Sequence, residues 1–347
     1  MNKRIIFFPT KSRWTNSYLN NIYNTIKDHY EVTGCDEIKK KDYFKYDIYH
    51  FNWIESTIWN TTRLILTIIF IYILKILNKK IIRTMHNTIP HETGNKKEVI
   101  KFMQFIAKKS DRIHILCTET LKNNILQPYK DKTILIPHWD YIGNYPLKNL
   151  NIYNKYGIPT NKKIALFIGQ IRKYKNIDLL IKAFKASKLE DNNVVMLICW
   201  ICNDKIYRKE LEKLEDKNIY IDFNFIKDSD MEAYLRQCKI IIAPYNKISS
   251  LNSWTLWMAM SYKKTMMLPL IWCVKDIKNY NDFLYIYDYY KEDHYEKLLE
   301  CMLKLKNDLT ENRNILNTKW EKAYEYIIKN QSWEVQKKNR INLYKFQ

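Results

Sequence analysis

The stretch Ala165–Phe184, ALFIGQIRKYKNIDLLIKAF, decides how the rest of the chain is read. Its first residues complete an apolar run, Lys163–Ile168, of strand length. Gly169 closes that run, at a place where the backbone must turn tightly and a Cβ would intrude. A polar loop with Arg172 and Lys175 follows, and from Ile177 to Ala186 the apolar residues recur at helical spacing. Strand, tight exit, basic loop and helix together make one βα unit, whose strand belongs in a parallel sheet covered on both faces.

The same rhythm extends in both directions. Downstream, strands are expected at Asn193–Ile201, Ile219–Phe223, Lys239–Ala243 and Thr265–Leu268. Helices alternate with them at Lys205–Glu215, Met231–Gln237 and Leu256–Met260, and helical patterns run from about Tyr295 onward. Upstream, RIIFF at 4–8, YDIYHFNW at 46–53, Lys80–Met85, Arg112–Cys117 and Thr133–Ile136 read as strands. Helical patterns lie at Tyr18–Ile26 and Lys96–Ser110, and Asn149–Asn161 reads as a linker. The expected fold is α/β, with two doubly wound Rossmann-like domains and an active site in a cleft at the carboxyl ends of the strands.

Composition bounds the alternatives. A chain of 347 residues is long enough for two domains with separate cores. At 46% hydrophobic and 14% aromatic it is not a disordered chain, and it has neither a collagen repeat nor a long heptad run. The seven cysteines have no framework spacing and the first residues do not resemble a signal peptide, so a reducing, cytoplasmic setting is expected. The net charge of +21 is dispersed along the chain, which suits a lysine-rich solvated surface, an anionic membrane or an acidic substrate. No nucleic-acid partner is expected, because no RNP or C₂H₂ motif accompanies the basic residues.

Three stretches carry a resemblance: Ala165–Phe184, Ile240–Leu268 (IIIAPYNKISSLNSWTLWMAMSYKKTMML) and the ending SWEVQKKNRINLY at 332–344. Together they resemble the donor-binding domain of GT-B glycosyltransferases of the family 4-like group, whose usual signature is Glu-x7-Glu. MHNTIPHE at 85–92 and LIPHWDYIGNYP at 135–146 resemble the amino-terminal segments of its bacterial polysaccharide-building members. The resemblance implies an acceptor-binding domain at 1–155, a nucleotide-sugar domain at 156–318, and a helix at 319–347 crossing back to the first. It also implies a sugar transfer from a UDP- or GDP-sugar to a polysaccharide or lipid-linked acceptor, with no cofactor and no metal. The rival reading is a catalytically inactive homologue that serves as a sugar-nucleotide-binding or membrane scaffold.

Such a transfer leaves negative charge on a departing diphosphate, which needs cations and backbone N–H donors. By resemblance, Gly169, Arg172 and Lys175 hold the donor diphosphate, with Asn252, Ser253, Trp254 and Thr255 ahead of a helix whose amino terminus suits an anion. Without the resemblance, the two cations would read as a basic surface loop. Aligned on the same segment, the two signature glutamates fall on Ser250 and Met258, so neither is acidic. His86, just after a strand, approaches the donor sugar by resemblance and closes over it with the domains; a histidine so placed is otherwise structural. His91 lies near it, Glu92 is the candidate base, and His138 and Asp140 are candidates for hinge or acceptor contacts.

Other motifs read more plainly. Asp228-Ser229-Asp230 has the spacing of a metal-binding Asp-x-Asp, but stands where aspartates cap a helix. Cys199 and Cys202 form a C-x-x-C with no second pair. Leu64–Leu74 is uncharged and mostly apolar, extends past Lys75 to Leu77, and is flanked by Arg63, Lys75, Lys79 and Lys80, yet is too short to span a bilayer, which takes about 20 residues. It reads as a helix covering the first sheet or as one lying peripherally on the anionic inner face of a membrane.

Glycine is scarce, at five residues in 347, where average proteins carry about 7%. Trp14, Trp139, Trp200, Trp254 and Trp272 stand at tight turns or beside expected ligand positions, where glycine would be at home, whereas Trp53, Trp257 and Trp333 read as ordinary aromatic positions. Two explanations fit: UGA read as glycine in the source but rendered here as tryptophan, or separate aromatic substitutions in a degenerate homologue.

Overall fold

The apolar runs become strands wherever both faces can be covered. The computed structural model describes residues 3–8, 17–87, 96–246, 251–289 and 292–346. Its first sheet holds β1 (Arg4–Phe8), β2 (Glu31–Gly34), β3 (Ile48–Asn52), β4 (Lys80–Met85), β5 (Arg112–Ile115) and β6 (Thr133–Leu135), with helices α1 (Ser17–Ile26), α2 (Thr61–Ile76) and α3 (Lys96–Lys109) between strands. The second sheet holds β7 (Lys163–Ile168), β8 (Val194–Cys199), β9 (Ile219–Asp222), β10 (Cys238–Ile242), β11 (Thr265–Pro269) and β12 (Tyr285–Tyr287). Its helices are α4 (Ile152–Tyr156), α5 (Ile177–Ser187), α6 (Lys205–Glu212), α7 (Asp228–Gln237), α8 (Trp254–Ser261), α9 (His294–Glu311) and α10 (Ile315–Gln331); a last helix, α11, spans Trp333–Leu343.

Both sheets are parallel and six-stranded, in the orders β2-β1-β3-β4-β5-β6 and β12-β11-β10-β7-β8-β9. β7 and β8 are buried along almost their whole length, which is why they read as unbroken apolar runs, whereas β3, equally buried, carries His50 and Asn52 and reads as an alternation. In the first sheet the order reverses between β1 and β3, and in the second between β7 and β10. The carboxyl ends of such strand pairs are where doubly wound sheets leave room for a ligand.

The chain divides into two units. It passes from the first to the second between His138 and Trp139 and back again between Ser332 and Trp333, with Leu251 and Asn252 grouped with the first. The expected linker is structured. Asn151 caps α4 by accepting from the Asn154 N–H at 3.0 Å, and Gly157 ends it at φ 63°. Tyr156 donates to Asp222 Oδ2 at 2.5 Å and Lys155 Nζ to the Tyr234 hydroxyl at 2.7 Å, so this segment is pinned within the second unit. Its asparagines, which read as loop residues, are the helix cap.

Two further expectations change. Helix α7 begins at Asp228, with Lys227 as its cap residue and no side-chain capping bond, so Asp228 and Asp230 lie in the first turn. There they face the positive end of the helix, and Asp230 pairs with Lys148. Among the described residues no group of three His, Cys, Asp or Glu could hold a metal ion. Helix α8 begins two residues earlier than expected, because Ser253 Oγ accepts from the Leu256 N–H at 3.3 Å and makes Trp254 the first helical residue.

Helix α2 is two-sided in an unusual way. Ile71 and Leu74 are fully buried in the core of the first unit, each worth about 1.5–3 kcal/mol, with Leu64, Ile68 and Phe70 packed beside them. The opposite face is also apolar: Leu66 and Ile76 are 61% and 77% exposed, and Ile65, Ile69, Tyr72 and Leu77 are exposed as well. No helix of the described residues is long and apolar enough to cross a membrane.

Candidate active site

In the first unit, neighbouring strands send polar residues to the carboxyl edge of the sheet. β3 ends on Asn52, fully buried, and the next residue, Trp53, turns into the left-handed region at φ 48°. It therefore does not sit as an ordinary aromatic position. Its indole lies flat against the His86 ring, centroids 4.2 Å apart and planes 15° apart. Tyr18 from α1 meets the same imidazole edge-on at 5.1 Å and the His138 ring at 5.4 Å. His86 Nε2–H donates to Asn52 Oδ1 at 3.1 Å, which leaves Nδ1 as an acceptor. Burial, with the neighbouring histidines and Arg83, holds its pKa well below the ordinary value, so the ring is neutral.

Beneath this group runs a hydrogen-bond chain whose direction can be worked out from one end. His114 Nε2 faces the Ile136 carbonyl at 2.9 Å, so that nitrogen carries the proton. His114 Nδ1 must then accept from the Thr84 hydroxyl at 3.0 Å. Thr84 Oγ1 in turn accepts from His50 Nε2–H at 2.7 Å, and His50 Nδ1 accepts from the Tyr344 hydroxyl at 2.7 Å. Every link is satisfied only while both imidazoles are neutral. Burial enforces this, holding His50 well below its ordinary pKa and His114 down to about 3, with Arg340 adding to both shifts.

Glu55 was not singled out by its sequence, since an acidic residue after a strand reads as surface. It is 4% exposed; burial raises its pKa, and the charge of buried Arg83 pulls it back down. Asp140, on the second unit's side of the boundary, accepts from the Ile142 N–H at 2.9 Å, an Asx turn that holds its carboxylate in a local task. His91, Glu92, Trp14 and Ser250 lie outside the described residues.

In the second unit the switch point between β7 and β10 gathers the basic loop. Gly169 leaves β7 at φ 135°, and a Cβ there would come within 3.1 Å of Lys175 Nζ. Lys175 has no carboxylate partner among the described residues. Its ammonium lies 5.8 Å from the Phe167 ring and 5.7 Å from the Tyr245 ring, and burial beside Arg172 lowers its pKa to about 8. Asn176, at φ 55°, fixes the end of the loop by donating from Nδ2 to the Pro244 carbonyl at 2.9 Å. Tyr245, just past β10, donates its hydroxyl to Thr255 Oγ1 at 3.1 Å, in the first turn of α8. Gly169, Lys175, Ser253 and Thr255 are thus brought together through Tyr245, a residue the sequence did not mark. Asn252 is half-buried and directly precedes the cap of α8. Met258, at the second glutamate position, is fully buried in α8.

A half-buried cation near a helix amino terminus has the chemistry that suits an anion. The family model described as "Glycosyl transferases group 1" matches residues 149–249, which run from α4 through the switch point. That stretch of the chain is similar to the group 1 glycosyltransferases. A GDP-mannose:glycolipid 4-beta-D-mannosyltransferase of Xanthomonas campestris pv. campestris is 20% identical over 266 residues, covering 74% of this chain and 70% of that one. Among solved structures, Anabaena Alr3699/HepE in complex with UDP and glucose superposes with a TM-score of 0.72 at 10% identity, over 98% of both chains. WaaG, a glycosyltransferase involved in lipopolysaccharide biosynthesis, gives 0.66 at 11% identity, over 99% of this chain and 100% of that one. The fold is therefore GT-B, with two parallel Rossmann-like sheets.

Proposed function

We propose that the enzyme moves a sugar from a UDP- or GDP-sugar to a polysaccharide or lipid-linked acceptor. The observation that carries this reading is Lys175, a half-buried ammonium without a carboxylate partner among the described residues, set against Gly169 at the switch point of the second sheet. It and Arg172 would take the donor diphosphate together with the first N–H groups of α8, supplying the charge that stabilises the leaving group. Asn252, Ser253 and Thr255 would line that end of the donor. The first unit would handle uncharged groups: His86 offers a neutral Nδ1 acceptor, and the Asn52 Nδ2, buried without a partner, offers a donor. His138 lies within the same aromatic group through Tyr18. Glu92 remains the candidate base, and Asp140 a hinge or acceptor candidate. Both kinds of relative bear on the donor, since one is named for GDP-mannose and another holds UDP.

A lipid-linked acceptor would favour work at a membrane surface, and α2 supports that placement. Its outer face is apolar, and at its carboxyl end a hollow of about 910 Å³ is lined by Lys3, Arg4, Lys27, Lys79 and Lys80 against Glu31 and Asp47. Sedimentation with anionic vesicles at low salt, release at high salt, and loss of binding in Leu66→Ser test this. Absence from the vesicle pellet at low salt would remove the membrane from the reading.

One observation favours the inactive scaffold instead. The indoles of Trp200 and Trp254 stand 6.5 Å apart, the second at the first helical position of α8, where an anion would rest. Equilibrium binding of UDP and GDP to the chain and to its Trp254→Gly variant decides between the two. Binding that weakens in Lys175→Ala, together with release of UDP or GDP from the sugar nucleotide, supports the enzyme; binding without release, or no binding to either protein, leaves the scaffold.

A further inference from the structure

β7 and β8 are neighbours, paired in register from Lys163 opposite Val194 to Ile168 opposite Cys199. Each leaves the sheet on its next residue. For β7 that residue is Gly169, at φ 135°; for β8 it is Trp200, at φ 146°. The surrounding hydrogen bonds repeat as well. The Gly169 N–H donates to the Cys199 carbonyl at 3.4 Å, and the Trp200 N–H donates to the Asp222 carbonyl at 3.0 Å. Ile171 N–H then donates to the Ile201 carbonyl at 3.0 Å, so the backbone is held on both sides of residue 200.

This conformation belongs to glycine. The other non-glycine residues with positive φ, among those described, lie between 48° and 60°, in the left-handed helical well that asparagine and occasional other residues enter. At φ 146° a side chain is forced against its own backbone, and that region is populated by glycine almost alone. Trp200 is also placed where its bulk matters. Its ring meets Phe225 at 5.1 Å and Trp254 at 6.5 Å, and Trp254 opens α8 beside the Tyr245–Thr255 contact. Two indoles therefore crowd the helix terminus that the lysine loop serves. The chain holds ten tryptophans and only five glycines.

We propose that positions 200 and 254 are glycine in the protein as its own cells make it, with UGA decoded there as glycine, and that the two indoles close a diphosphate pocket which glycine leaves open. The coding half stands on the backbone at residue 200; the pocket half rests on the donor-site reading above. By contrast Trp257, 2% exposed and central in α8, is a true core tryptophan. Tandem mass spectrometry of the protein recovered from its source tests all three positions, since trypsin releases Leu189–Lys205 and Ile248–Lys263. Glycine at 200 and 254 with tryptophan at 257 is expected. Tryptophan at 200, encoded by UGG, overturns the proposal.

A second test needs no source cells. Trp200→Gly should melt at a higher temperature than Trp200→Ala, although glycine frees more of the unfolded chain. The opposite order would mean that the backbone there does not require glycine. The Trp200→Gly/Trp254→Gly protein should bind UDP or GDP at least tenfold more tightly than the parent. Glycine in the recovered peptides without any gain in nucleotide affinity would keep the coding assignment and overturn the pocket.

Discussion

The carboxyl edges of the two sheets are built on one plan and do opposite things with charge. In the first unit the strand ends carry histidines that burial keeps neutral, arranged so that each donor meets one acceptor and the chain closes on a backbone carbonyl. In the second, the strand exit holds a lysine that burial makes reluctant to be charged and that no carboxylate of the described residues relieves. The scaffold does not choose between these outcomes; the few residues just before and after each strand end do. A neutral polar network suits hydroxyl groups, whereas an uncompensated cation at a helix terminus suits an anion.

This contrast can be broken most severely with acid. His50 and His86 are held well below their ordinary pKa of 6.5, and His114 down to about 3. Below pH 6.5 the unfolded chain takes up protons that the folded one refuses, so stability present above that pH is lost as the pH falls toward the folded values. Each histidine contributes up to about 1.4 kcal/mol per pH unit. Urea unfolding at pH 7 and pH 5 measures the loss; equal midpoints would show that these rings titrate freely.

On the other side of the comparison, Lys175→Ala should weaken UDP or GDP binding by about 1.5–3 kcal/mol, roughly 10- to 150-fold, while leaving urea stability intact. Calorimetric titration reads it, and an unchanged affinity would take the diphosphate away from this loop. Tyr344→Phe should do the reverse. It strips the donor from buried His50 Nδ1, costing about 1–3 kcal/mol of stability with no effect on nucleotide affinity. A change in affinity would mean that the two sites are not as separate in chemistry as their groups suggest. The smallest effect is alkaline. Because Lys175 is a cation only below about pH 8, nucleotide affinity should fall by up to about tenfold per pH unit above it. Lys175→Arg should flatten that decline, and a decline that persisted in it would point to another group.

Much of the fold was legible because buried parallel strands declare themselves as unbroken apolar runs, as KIALFI and VVMLIC do. Gly169 was legible as the exit of such a run, but Arg172 and Lys175 were marked only by resemblance, since two cations after a strand otherwise read as a basic surface loop. The histidine chain was not. His50, Thr84 and His114 sit inside strands and look like scattered polar residues until the pairing β3-β4-β5 sets them side by side. Trp53 and Tyr245 were missed because both work through their rings and hydroxyl after a strand ends, where aromatic residues carry no distinctive spacing. The early start of α8 was missed because Ser253, its cap, precedes a tryptophan and a threonine, neither of which announces a helix. Asp228 and Asp230 were read as capping residues because the helix start was placed about one turn too late: Lys227 takes the cap position without the side chain that normally marks it.

The directed chain from Tyr344 to Ile136 also sets a timetable. Its acceptors are contributed by strands made early, yet its first donor arrives on the segment after α11, synthesised once the whole of the second unit is out. Until then His50 Nδ1 lacks the donor it has in the finished fold, and the tautomers of the chain are not yet fixed from that end. A nascent chain therefore finishes its first half last, and a ribosome that stops short of residue 344 releases a protein whose opening sheet is still waiting for its closing proton.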